Sequence, residues 1–293
     1  MKTPTIFSAG RHRCKRAFTL IEIMVATAIM IVLVGLVIQI TSQVLNVWGR
    51  SSGRLTALAN ARVAMELITQ DLETAVFRNN GLQWLRSENS QLSISKAGST
   101  NTVALRLFSA ARDRPDDAVG DVCGISYLLR FADPIDGNQS GSDQLFVLYR
   151  KIIDPQNTFD NLLGVGNQED FSGWGTWSAE ASDLMLSADD YLVSNIAAFE
   201  IQFFVEGDLS ETIDTAVPGD TIFGGTDATV GSGASDLNYK KPLAYADIRL
   251  TVISDEGAEV LQNLSVLDKD LNDVILEYGQ VFYRRVYLPS RPI

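Results

Sequence analysis

Hydrophobic and polar positions change rhythm three times along the chain. From Phe18 to Ile40 nearly every residue is apolar, and Glu22 is the single charge in 23 residues. An α-helix of that length rises about 35 Å, enough to cross the hydrocarbon of a bilayer. Further on, Leu58, Ala61, Met65, Ile68, Leu72 and Ala75 recur at alternating spacings of three and four, with Arg62, Glu66, Gln70 and Glu73 off that line. This spacing predicts a helix with a narrow apolar stripe. Its stripe packs on the chain's own sheet or, alternatively, forms a seam with a partner helix. Gly49, Ser51, Ser52 and Gly53 predict a kink between the two helical stretches.

Beyond Gly81 the period drops towards two. "NTVALRLF", "GISYLLRF", "QLFVLYRK", "AAFEIQFFVE", "YADIRLTVI" and "QVFYRRVYL" read as strands. The second and third are joined by "ADPIDGNQSGSD", a polar hairpin loop. Leu261, Leu264, Leu267, Leu271 and Ile275 keep helical spacing, with Gly279 as a stop. One long helix followed by mainly antiparallel strands is an α+β fold.

Charge sharpens the division. Residues 1–17 hold five basic side chains (Lys2, Arg11, Arg13, Lys15, Arg16) and no acid, leaving 19 basic residues against 36 acids thereafter. Phosphate backbones repel so acidic a body, so nucleic acid is not an expected partner. The only histidine, His12, lies in the basic head, which removes Ser-His-Asp triads and His-ligated zinc from the body. Cys14 and Cys123 are the two cysteines, so the body can hold no internal disulfide; Cys123 is expected to be a buried small residue.

The basic head places the N-terminus in the cytoplasm and sends the body across the membrane. A cleaved secretory signal fits poorly, because "ATA" at Ala26–Ala28 is followed by twelve more largely apolar residues. A plain anchor explains everything except Glu22, since an acid in hydrocarbon costs about 2.5–3.5 kcal/mol.

"RAFTLIE" leading into a long apolar helix resembles the class III signal of type IV pilins and type II secretion pseudopilins. The resemblance implies a pilin-like fold and a leader, 1–17, cut between Ala17 and Phe18 by a prepilin peptidase. Phe18 then becomes the N-methylated first residue, with Glu22 in the fifth place. Ala17 stands where the family usually has Gly. In such filaments the apolar helices bundle, and the glutamate of one subunit meets the free amine of its neighbour; each charge is costly alone in low dielectric and tolerable when paired. The implied organisation is a transmembrane helix over 18–40, its amphipathic continuation over 41–79, and a β-rich periplasmic or extracellular domain over 80–293.

Within that family, "NARVAMELITQDLETAVFRN", "IAAFEIQFF" and "YADIRLTVI" are similar to segments of J-type minor pseudopilins. The expected role is a structural subunit at or near a filament tip, with other pilin-like subunits, the inner membrane and the peptidase as partners. No enzymatic activity and no cofactor are expected. Two loops stay open to other uses. Trp174 and Trp177 in "GWGTW" read as buried anchors or, in the alternative, as a partner or carbohydrate platform serving an adhesin or substrate-binding module. The 207–238 stretch reads as a solvated loop. Its Asp208, Asp214 and Asp220 are candidate oxygen ligands for Ca²⁺, a metal several pseudopilins use, although no EF-hand spacing occurs.

Overall fold

The computed structural model describes residues 19–78, 80–94, 98–114, 120–135, 144–168, 188–206, 215–217, 219–226, 228–231, 242–262 and 270–289. The chain divides into two compact units, Met1–Gly49 and Arg50–Ile293. Helix α1 runs Leu20–Glu73.

In the first unit every described residue from Thr19 to Gly49 is exposed. Its most apolar 18-residue window has a mean hydropathy of 2.8 with none of it buried. Surface that apolar is not suited to water. The hydroxyls in this segment do not alter that, because they fold back onto the helix: Thr27 donates to the Met24 carbonyl at 2.9 Å and Thr41 to the Val37 carbonyl at 2.8 Å.

The second unit contains two antiparallel sheets. Strands β1 (Leu85–Ile94), β2 (Gly98–Ser109), β3 (Cys123–Ala132), β4 (Leu145–Ile153), β5 (Tyr191–Ser194) and β8 (Thr221–Phe223) form a six-stranded sheet in the order β5-β4-β3-β2-β1-β8. Strands β6 (Ile196–Val205), β7 (Thr215–Ala216), β9 (Leu243–Ile253) and β10 (Gly279–Tyr287) form a four-stranded sheet in the order β10-β9-β6-β7. The α+β expectation holds, and each of the six anticipated strands is present.

One core serves the helix and both sheets. Ala61, Met65, Ile68 and Leu72 of α1 are buried with Leu105 and Leu107 of β2 and with Phe199, Phe203, Ile248 and Leu250 of β6 and β9. The stripe is wider than its spacing suggested, since Ala57 and Ala64 are buried too. The helix therefore packs on its own domain.

The chain changes sheet at Asn195, between β5 and β6, in the left-handed conformation (φ 66°). Asparagine tolerates that region better than most residues. Its Nδ2 donates to Asp255 at 2.8 Å, its N–H to the Phe146 carbonyl at 2.7 Å, and its carbonyl accepts from Ile253 at 2.9 Å. One residue thus fastens β4, β9 and the helix that follows.

Two local expectations need correction, and the stop at Gly279 holds. The helix anticipated through Leu261–Ile275 is described as two, Asp255–Gln262 and Leu271–Tyr278, with Leu264 and Leu267 outside the described residues. Asp270 starts the second by accepting from the Asp273 N–H at 2.9 Å, and that cap competes with a continuous helix. Gly279 does follow the last turn, but with extended backbone (φ −85°, ψ 151°). Glycine is required there because a Cβ would run into the Ile275 carbonyl oxygen. Finally, the 207–238 stretch is not solvated throughout. Strand β8 pairs with β1, and Phe223 is buried edge-to-face against Phe77 with ring centroids 5.2 Å apart.

Candidate functional site

The N-terminal end of α1 is built by Thr19. Its hydroxyl accepts the Glu22 N–H at 3.3 Å, and its carbonyl accepts from Glu22 and Ile23 at 3.1 and 3.3 Å. Thr-x-x-Glu is the sequence of a capping box, of which the Thr19 half is formed. Glu22 therefore sits in the first turn, where the unpaired N–H groups and the helix dipole favour a negative charge.

The Glu22 side chain is exposed and has no hydrogen-bond or ion-pair partner among the described residues. From Thr19 to Gly49 it is the only charge, on a helix otherwise suited to lipid or to other apolar helices. Such a carboxylate can bind a cation brought to it: an ammonium group, placed at the low-dielectric end of a helix bundle. Ala17 and Phe18 lie outside the described residues.

The helix's other end is tied down by a buried ionic cluster. Asp71, fully buried, accepts from Arg150 Nε and Nη2 of β4 at 2.8 and 3.0 Å and from the Tyr127 hydroxyl of β3 at 2.5 Å. Arg150 also donates to Asp113, after β2, at 2.5 and 3.1 Å. This bidentate geometry on two carboxylates is what a guanidinium needs when buried.

Burial would lower the basicity of Arg150, but its hydrogen bonds to the two carboxylates outweigh that and hold the guanidinium firmly charged. Burial alone would likewise raise Asp113, yet Arg150 holds it below the ordinary carboxylate value. Burial, and then the Asp71 charge, push the Tyr127 phenol well up. The cluster clamps the last turn of α1 to β3 and β4.

This cluster went unnoticed in the sequence. Asp71 sits three residues after Ile68 and beside Leu72, inside the buried phase of the stripe, and Arg150 occupies an inward position of "QLFVLYRK". A charge on an apolar face was the available signal. Thr19 could have been found from the Thr-x-x-Glu spacing.

Trp174, Trp177, Asp208 and Asp214 lie outside the described residues. Asp220 accepts the Asn89 N–H at 2.8 Å, a strand-end contact. Among the described residues no group of three or more His, Cys, Asp or Glu side chains is placed to hold a metal. Cys123 is fully buried and its thiol is pushed up by that burial, which leaves it unreactive.

No curated protein and no solved structure matches the chain. The prokaryotic N-terminal methylation motif matches residues 12–38, covering the end of the basic head, Glu22 and the apolar helix. That motif implies processing by a prepilin peptidase and assembly with other pilins, and the exposed apolar helix fits a membrane anchor. A class III prepilin signal, a long apolar helix and antiparallel sheets together support placing this chain among the type IV pilin-like and pseudopilin subunits.

Proposed function

We propose that the chain is a minor pseudopilin-like structural subunit of a type II secretion filament or a related type IV pilus-like one. Prepilin peptidase cuts between Ala17 and Phe18, and the methylated amine of Phe18 in one subunit is met by Glu22 of another. The observation that carries this is the lone carboxylate in the first turn of an apolar helix, unpartnered among the described residues of its own chain. A charge that is costly alone and satisfied by a neighbour's terminus selects the assembled state and fixes its register.

Bulk supports a place at or near the tip. About 276 residues follow the cut, and so large a body crowds a helical lattice if present in every subunit. The similarity of "NARVAMELITQDLETAVFRN" and of the β6 and β9 sequences to J-type minor pseudopilins supports the same place. The test is expression with and without prepilin peptidase, followed by mass spectrometry of the N-terminus. N-methylated Phe18 is expected only with the peptidase. An intact leader, or cleavage after Ala28, overturns the proposal.

A further inference from the structure

We propose that the outer face of the four-stranded sheet, where the β1–β2 hairpin meets it, is a binding site for a neutral oligosaccharide. The proposal goes beyond filament assembly and does not depend on it. A groove of about 890 Å³ lies between the hairpin and strands β6, β9 and β10, within the range of small-ligand sites. Polar side chains dominate its walls: Gln91 and Asn101 from the hairpin, and Glu200, Gln202, Arg249 and Tyr283 from the sheet.

The charges cancel locally. Glu200 pairs with Arg249 at 3.3 Å, and Asp247 is held by Arg285 at 2.7 and 2.8 Å. In a chain with 36 acids against 24 bases, this patch is balanced, so it favours neither a strong anion nor a strong cation.

Hydrogen-bonding capacity remains unused. Asn101 donates its amide to Glu200 at 3.0 Å, and Gln202 donates to the Val217 and Phe203 carbonyls at 2.7 and 3.1 Å. Among the described residues neither amide oxygen has a donor, so both are available as acceptors. The Gln91 side chain has no partner among the described residues. Gln91 and Gln202 are both exposed, so these groups are open to a ligand.

An aromatic ledge continues the groove. Strand register sets Glu200, Arg249 and Tyr283 in one row, then Gln202, Asp247 and Arg285, then Phe204, Tyr245 and Tyr287. Residues two apart share a face, so the three rows form one strip, roughly 14 Å from first to last. Tyr283 and Tyr287 are 58% and 72% exposed. Phe204 and Tyr245 stack with centroids 4.5 Å apart, and the Arg285 guanidinium lies 4.0 Å above Tyr245. A pyranose ring presents hydroxyls at its edge and C–H groups on its faces. A neutral groove of amides and hydroxyls that grades into tyrosine rings matches both.

The test uses the full-length chain in detergent micelles, titrated with cellohexaose, maltohexaose and xylohexaose. Binding is followed by saturation-transfer NMR and calorimetry. At least one of these is expected to bind, with Tyr283→Ala and Gln91→Ala each weakening it roughly tenfold or more. Gln91 is exposed and its side chain has no partner among the described residues, so Gln91→Ala is expected to leave thermal stability unchanged, which separates a lost ligand contact from a lost fold. Absence of binding at millimolar sugar overturns the proposal. So does binding confined to an anionic oligosaccharide such as oligogalacturonate, or binding that neither substitution affects.

Discussion

Replacing Arg150 with methionine probes the clamp at the C-terminal end of α1. Methionine keeps much of the aliphatic length of arginine but removes the guanidinium, leaving Asp71 fully buried with, among the described residues, only the Tyr127 hydroxyl still bonded to it. Asp113 is half exposed on its side chain and is rescued by water. The cost is therefore that of one uncompensated buried carboxylate, about 3–5 kcal/mol. For a body of this size that lowers the melting temperature by roughly 6–20 °C.

Asp71→Leu combined with Arg150→Met removes both charges and is expected to recover most of the loss, because a buried ion pair is often replaceable by apolar groups of similar volume. Urea titration of the full chain in non-ionic detergent, followed by near-ultraviolet circular dichroism, measures both variants. A loss under about 1 kcal/mol for Arg150→Met, or a double variant less stable than the single one, refutes the assignment of this cluster as a buried ionic clamp.

Two further outcomes follow from the same geometry. Asn195→Ala places a Cβ-bearing residue without a side-chain amide in the left-handed region and breaks the bond to Asp255. It should cost about 1–3 kcal/mol in the same urea titration, and Asn195→Gly should cost less; equal losses contradict the conformational argument. Tyr127 has its phenol raised by burial and then by Asp71, so it stays protonated in the fold after the unfolded chain ionises near pH 10. Its contribution is fully present below that pH and is lost as pH rises through the unfolded value towards the folded one. The urea midpoint should fall between about pH 9 and 11 more steeply for the native chain than for Tyr127→Phe, and identical slopes exclude the effect.

What the sequence showed and what it hid follow from the range of the interactions. Strands such as β6 and β9 alternate apolar and polar residues because one face meets the core and the other the solvent, a local signal. Strand β1, "LRSENSQLSI", carries little of it, because only Leu85, Ser87 and their surroundings are buried while its outer half is held by register with β2. Strand β8 is three residues long and owes its existence to β1 and to the Phe77 ring.

The Asp71–Arg150 pair spans 79 residues of sequence. Periodicity shows that each faces inward, but nothing local says that they face each other. Glu22 was legible for the opposite reason: a charge in an apolar run is conspicuous without any partner. The aromatic ledge of Phe204, Tyr245 and Tyr287 required the pairing of three strands before its residues became neighbours.

The central claim is that Glu22 is satisfied by the terminus of another subunit. The direct measurement is the amount of Glu22→Leu chain in sheared filaments, relative to native chain, in cells that carry prepilin peptidase, with N-methylated Phe18 checked by mass spectrometry in both. Processed Glu22→Leu chain that stays in the membrane and is absent from filaments is the expected result. Filament incorporation of that variant at the native level contradicts the account.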